Sequence, residues 1–306
     1  MTSPTTVGVI GLGNIGSSIA MHLIRNGFSV IGTDIRSEAL ETIVEHGGRS
    51  VEDAAAVASE SDVVITSLPS EAALTSVLDE IVDLLAGKTL IETSTLSLQA
   101  KEEAYARVDA VGGQIVDAPL SGTAMQAREG DVVAYTSADA GVTAEVQPVL
   151  DGFCRATYAM DPFGTATKMK LVANLLVAVH NVAAAEALVL AQKAGLDLDQ
   201  AVEVLSDGAG SSRMLQVRGP MMAGGTYDAP GMNVGVFIKD IELITNLARE
   251  LEVPVPLLSA SSPVYASALA QGWAPSDTAS VFAVLARMAD LPVSGPATGP
   301  ALKESS

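Results

Sequence analysis

Positive charge is scarce in this sequence: 17 Lys and Arg stand against 36 Asp and Glu, for a formal net charge of −19. Nucleic acid and anionic membrane surfaces both require a cationic face, so neither is expected as a partner. The deficit is uneven. Residues 1–163 hold 8 basic and 23 acidic side chains, whereas residues 164–306 hold 9 and 13. Any anion the protein binds must be held by a local field. Cysteine is nearly absent. A lone Cys154 excludes an internal disulfide and points to a reducing compartment, so the cytoplasm is the expected location. Histidine is equally sparse. His22, His46 and His180 are scattered, no metal-ligand spacing is present, and His180 reads as a packed core residue. Long uninterrupted apolar runs are missing too. The most apolar stretch, 171–190, is broken by Asn174, His180, Asn181 and Glu186, each costly in lipid. It reads as a helix buried in protein. The opening MTSPTT lacks a basic flank, so no signal peptide is expected.

What is present is a large apolar complement. With 306 residues and 48% hydrophobic composition, the chain can bury a substantial core in one large or two ordinary domains. Short β-branched runs at 7–10, 29–33, 63–68, 89–92 and 114–116 alternate with helical patterns at 15–26, 37–46 and 71–85. That alternation predicts an α/β fold: an N-terminal Rossmann doubly wound parallel sheet. From about Gly164 the pattern is helical throughout, which predicts an all-α C-terminal domain. Pro and Gly punctuate the change at Asp161-Pro162-Phe163-Gly164. The expected division is a nucleotide-binding domain at 1–163 and a helical substrate and dimerisation domain at 164–291. A long interdomain helix opens the second domain, and 292–306 reads as a flexible tail.

The segment from Val7 to Gly16 places Gly11, Gly13 and Gly16 directly after an apolar strand, with Leu12, Asn14 and Ile15 between them. Gly11 permits the tight turn, Gly13 lets backbone approach a pyrophosphate, and Gly16 lets helix and strand pack closely. The helix that follows offers N–H groups and a positive dipole to phosphates. Asp34 ends the second strand, 18 residues beyond Gly16, where a carboxylate can accept from a ribose 2′-hydroxyl and would repel a 2′-phosphate. NAD is therefore the expected cofactor. Arg36 could meet a phosphate and keeps NADP as the alternative.

The segment from Gly164 to Asn174 opens the long helix, and its Lys170 and Asn174 are one turn apart on one face. A lysine on so apolar a helix must be paired, snorkelling or functional. A desolvated lysine exchanges protons near neutral pH, which suits a general acid or base. Lys168 competes with it but lies on another face and lacks a polar partner four residues on, so Lys170 is favoured.

These residues carry a resemblance to the 3-hydroxyacid (β-hydroxyacid) dehydrogenase family, which includes 3-hydroxyisobutyrate dehydrogenase and the tartronate semialdehyde and glyoxylate/succinic semialdehyde reductases. It extends over nearly the whole chain and rests on four motifs in order. They are the glycine fingerprint, Asp117-Ala-Pro-Leu-Ser-Gly-Thr123, the segment from Gly164 to Asn174, and Ile238-Lys239-Asp240. Leu68-Pro69 and Ser94-Thr95 fall where family members touch the cofactor. The resemblance implies reversible hydride transfer between NAD(P) and a small carboxylate-bearing hydroxy acid or semialdehyde, without metal. It makes Lys170 the general acid or base and Asn174 the group that holds the substrate oxygen. Ser121, Gly122 and Thr123 would bind the substrate carboxylate through backbone N–H and hydroxyl groups. Thr95 would lie beside the nicotinamide, and Lys239 would reach the cofactor or closed site, with an ion pair to Asp240 or Glu242 as the plainer reading. Arg213 is a candidate carboxylate contact.

The chain departs from the family pattern at Thr123 and Ala166, each in place of a glycine, and at Ala173, in place of an asparagine that many members carry. These departures bear on substrate choice more than on mechanism. A decarboxylating 6-phosphogluconate-type enzyme is the first rival, but its extra His and Glu correspond here to Ala173 and Val177. Imine reductases usually carry Asp or Tyr where Lys170 stands. A non-catalytic NAD-binding dimer is the rival of another class. The long apolar helix predicts self-association, as a homodimer or homotetramer.

Overall fold

The structure, a computed structural model, describes residues 5–228, 231–293 and 295–296. Of the tail expected at 292–306, Ser294 and residues 297–306 lie outside the described residues. The chain divides into two compact units, 1–170 and 171–306.

Unit 1 is built on six parallel strands: β1 (Thr6–Ile10), β2 (Ser29–Thr33), β3 (Arg49–Ser50), β4 (Val63–Thr66), β5 (Thr89–Glu92) and β6 (Gln114–Asp117), in the order β3-β2-β1-β4-β5-β6. The interior strands read as continuous β-branched runs because both faces are covered. Val7, Val9, Ile65 and Ile91 pack on one face with Ile19 and Leu23 of α1 (Asn14–Arg25). Ile10, Ile31, Val64 and Leu90 pack on the other with Leu74 and Leu78 of α4 (Glu71–Ile81). Strand order reverses between β1 and β4, so the turns after these two strands flank the crevice where open α/β sheets bind ligands.

Several elements here were not anticipated. Besides α2 (Ser37–Glu45), the unit contains α3 (Ala54–Glu60) and α5 (Leu98–Ala110). A second sheet joins β7 (Leu120–Ser121), β8 (Val133–Thr136) and β9 (Ala156–Ala159), with β7–β8 antiparallel and β8–β9 parallel. Two short helices, α6 (Ala124–Glu129) and α7 (Val142–Asp151), lie between these strands in the chain.

The division falls inside α8 (Thr165–Lys193) rather than before it. Its first turn is held by unit 1 side chains: Ala166 N–H donates to Ser137 Oγ at 3.1 Å and Thr167 N–H to Asp117 Oδ2 at 2.8 Å.

Unit 2 holds the rest of α8 and α9 (Leu198–Asp207), α10 (Arg213–Gly224), α11 (Val234–Glu250), α12 (Pro256–Ala270) and α13 (Val281–Met288). Side chains of Asp197, Ser212 and Asn233 cap the starts of α9, α10 and α11. Its core includes Leu188, Phe237, Tyr265, Trp273 and Phe282. By length and composition alone α8 could cross a membrane. Its buried Asn181 instead donates to Tyr265 OH at 3.1 Å and to Thr278 O at 2.9 Å, so protein groups satisfy the polar interruption.

Candidate active site

The turn after β1 has the shape a bound pyrophosphate requires. Gly11 has φ +90, and a side chain there would meet the Ser67 carbonyl. A Cβ on Gly16 would collide with the Gly11 carbonyl, so helix and turn approach as closely as backbone allows. At Gly13 the same addition meets nothing within 4 Å. Gly13 is also the N-cap of α1 and supplies no side-chain cap to the first N–H groups of the helix. A dinucleotide fits here: the residues that could hold its phosphates are Gly13, Asn14, Ile15 and Gly16, through backbone N–H groups.

Asp34 sits against the same turn. Its Oδ2 accepts from Leu12 N–H at 2.7 Å, and its Oδ1 accepts from Arg36 N–H at 2.9 Å and Arg36 Nε at 3.0 Å. The Arg36 guanidinium reaches further, donating to the Leu12 carbonyl at 3.0 Å. Burial alone would raise the Asp34 carboxyl, but the hydrogen bonds from Arg36 and Leu12 outweigh it and hold it below its ordinary value. Across the crevice, Leu68 N–H donates to Ser94 Oγ at 2.8 Å, joining the turn after β4 to the one after β5 that carries Thr95. The glycine turn, Asp34, Leu68 and the Ser94 loop thus line one edge of the sheet.

The segment expected to hold a carboxylate is arranged differently from the simplest reading. Ser121 ends β7, and Gly122 follows it with φ +151. Thr123, however, is the N-cap of α6. Its N–H donates to Gln126 Oε1 at 2.9 Å, and its Oγ1 accepts from Gln126 N–H at 3.2 Å. The Thr123 backbone donor is therefore engaged, and only its hydroxyl proton remains to give.

On α8, Lys170 is buried at 7% exposure whereas Lys168, two residues earlier, is exposed. Asn174 is buried one turn on, and its Nδ2 donates to Asp240 Oδ2 at 2.8 Å. The other oxygen of Asp240 lies 3.2 Å from Lys239 Nζ. One buried carboxylate on α11 thereby orients the Asn174 amide and pairs with Lys239. Arg213 occupies the exposed first position of α10.

Residues 6–161 match the family described as the NAD binding domain of 6-phosphogluconate dehydrogenase, and residues 164–285 match that described as NAD-binding of NADP-dependent 3-hydroxyisobutyrate dehydrogenase. An L-threonate dehydrogenase from Cupriavidus necator is 31% identical, over 91% of this chain and 95% of its own length. The chain belongs to the 3-hydroxyacid dehydrogenase family. A 2-hydroxy-3-oxopropionate reductase of Escherichia coli is 29% identical over 93% of this chain and 98% of its own. A crystal structure of 3-hydroxyisobutyrate dehydrogenase from Salmonella typhimurium superposes with a TM-score of 0.84 at 30% identity, covering 92% of this chain and 99% of that one. This member of the family is accordingly an NAD(P)-dependent oxidoreductase acting on CH–OH groups.

Three buried ion pairs in this dehydrogenase, grouped in two clusters, have no signal in the sequence. Arg218 meets Asp277 at 3.1 Å in unit 2, where Asp277 also accepts from Gly231 N–H at 2.8 Å and Ala279 N–H at 2.9 Å. In unit 1, Lys101 lies fully buried between Glu92 and Asp117. No pattern flags Lys101, because Gln99, Glu102 and Glu103 around it spell a solvated helix face.

Proposed function

We propose that this dehydrogenase interconverts a small hydroxy acid and the corresponding semialdehyde or oxo acid, with Lys170 as proton donor and acceptor. The observation that carries the reading is the burial of Lys170 one turn from an Asn174 whose amide is held by Asp240. When bound, the nicotinamide supplies the redox equivalent. Lys170 donates a proton to the substrate oxygen in reduction and removes one in oxidation. Asn174, with one amide proton committed to Asp240, offers its second to the same oxygen. Ser121, Gly122 and the Thr123 hydroxyl receive the carboxylate, and Thr95, Leu68 and Pro69 border the nicotinamide. The relatives named for L-threonate and 2-hydroxy-3-oxopropionate support a polar substrate of three or four carbons.

The test is a panel of carboxylate-bearing hydroxy acids and semialdehydes of two to four carbons, including L-threonate, assayed separately with NAD and NADP. Turnover of at least one is expected. Tight cofactor binding without turnover of any member would favour a non-catalytic NAD-binding protein instead.

Self-association belongs to the same reading. Met169, Val172, Leu176 and Leu190 are large exposed apolar residues on α8. At 3.6 residues per turn they fall within about 60° of one another, along a stripe roughly 30 Å long. A second copy packed about a two-fold axis would cover both stripes at once, so we assign this face to a homodimer. Leu176→Glu with Leu190→Glu is expected to give monomers in sedimentation velocity; a monomeric unmodified protein at micromolar concentration would sink the assignment. Burial pushes the Cys154 thiol up to about 12, which keeps it protonated and suits a cytoplasmic protein with one unreactive cysteine.

A further inference from the structure

Among the described residues, Lys101 is the one buried lysine to which the reaction above gives no role. It sits on α5 with both carboxylates, Glu92 at the end of β5 and Asp117 at the end of β6, and all three side chains are fully buried. Its Nζ lies 2.9 Å from Asp117 Oδ1, forms an ion pair with Glu92, and donates to the Glu92 carbonyl at 3.3 Å. Burial would lower the lysine, yet Asp117 and Glu92 outweigh it and keep the ammonium charged.

Each carboxylate holds a different part of the site. Glu92 Oε1 accepts from Ser94 N–H at 2.9 Å, and Ser94 Oγ in turn accepts from Leu68 N–H at 2.8 Å. This fixes the loop that carries Thr95. Asp117 accepts from Thr167 N–H and from Thr167 Oγ1, each at 2.8 Å, and from Ser137 Oγ at 3.3 Å. Ser137 Oγ accepts from Ala166 N–H at 3.1 Å. The opening N–H groups of an α-helix have no partner within the helix. In α8 side chains at the ends of β6 and β8, Asp117 and Ser137, satisfy two of them, and Lys170 follows three residues after Thr167. Ser94 and the start of α8 at Thr165 are 71 residues apart in sequence, and one ammonium joins their anchors.

We propose that Lys101 is a positioning residue for the redox reaction: by holding Glu92 and Asp117 together, it sets the Thr95 loop and the first turn of α8 in fixed relation. Without the cation, two buried carboxylates face each other and must separate or take up a proton. Either response releases the two anchors together. The role in turnover rests on the lysine reading above; the coupling of the two segments does not.

The test compares full-length Lys101→Arg, Lys101→Met with Glu92→Gln, and Thr167→Val with the unmodified enzyme. The double variant removes one charge of each sign, and Thr167→Val removes one hydroxyl bond to Asp117 and leaves the ion pairs intact. In the double variant, amide exchange at Ser94, Ala166 and Thr167 is expected to rise together, with β1 amides unchanged. kcat is expected to fall about 10- to 100-fold, the scale of a small misplacement of reacting groups, and its pH profile to shift, while the NADH dissociation constant stays within threefold. Lys101→Arg should recover part of kcat. Thr167→Val should show faster exchange at 166–167 and a smaller loss of kcat, and it decides the matter if the double variant does not fold. Unchanged exchange at 166–167, or exchange that rises there without rising at Ser94 in a folded double variant, would overturn the coupling. Wild-type kcat and pH profile in folded variants would reduce the network to a structural prop. Were the unmodified enzyme to turn over no hydroxy acid, the reaction reading would fail and the exchange measurement would still judge Lys101.

Discussion

Replacing Lys170 with methionine is expected to lower kcat by about 10²- to 10⁴-fold, the usual contribution of a positioned general acid or base, with NADH binding unchanged. The separation of effects follows from where the side chain sits. The groups to which we assign the cofactor are backbone N–H groups of the glycine turn and the Asp34 carboxylate, which bonds Leu12 and not Lys170. Methionine keeps the length and apolar stem of lysine, so the buried slot stays filled. What is lost is a proton on an oxygen that gains negative charge in reduction. Lys168→Met provides the control. That lysine lies two residues away and is exposed, so its replacement should leave kcat near wild type. Equal losses in the two variants would show that net charge, rather than a positioned proton, governs the rate. Full activity in Lys170→Met would remove the lysine from the mechanism.

How much of this was legible beforehand depended on whether a residue's neighbours in space were also its neighbours in sequence. The parallel sheet was legible because strands covered on both faces must be apolar nearly throughout, as 7–10 and 63–65 are. Helix α5 was hidden because its buried positions are Lys101, Ala104 and Val108, so a lysine occupies one slot of the apolar stripe. The mixed sheet was missed because β7 has only two residues and β8 alternates without a long run. Lys170 stood out as a charge on an apolar helix. Its neighbour's partner did not, since Asn174 and Asp240 are 66 residues apart. Thr123-Ala-Met-Gln126 does carry a local signal, the spacing of a capping box, which engages the Thr123 N–H within its own turn.

Cofactor selection is expected to turn on Asp34 and Arg36 in opposite directions. In this structure both Asp34 oxygens accept hydrogen bonds, and Arg36 supplies three of the donors. A ribose 2′-hydroxyl that donates to Asp34 must displace part of that set, and the exposed Arg36 side chain is the part free to swing away. The Leu12 N–H bond would remain and hold the carboxylate in place. A 2′-phosphate meets the same carboxylate and is repelled, although a displaced Arg36 could receive it. The expected wild-type preference is therefore for NAD. Asp34→Ala removes the ribose acceptor and the partner that now occupies Arg36. A hydrogen bond to a charged group contributes about 1.5–3 kcal/mol, so kcat/KM with NAD should fall roughly 10- to 100-fold. kcat/KM with NADP should rise, and the preference should invert. Arg36→Ala should do the reverse, weakening NADP further and sparing NAD near neutral pH. It should also make NAD binding more sensitive to acid. Arg36 supplies the largest of the effects that lower the Asp34 carboxyl, and without it burial pushes the carboxyl back up. With the ribose assigned to this carboxylate, NAD binding in the variant should be lost at a higher pH as acid is added. Dissociation constants for NADH and NADPH across pH 4–8 would read both effects (the buffer range is about that of ordinary carboxyl titration and above). A wild-type preference for NADPH, or an unchanged ratio in Asp34→Ala, would show that the carboxylate serves the Leu12 turn rather than the ribose.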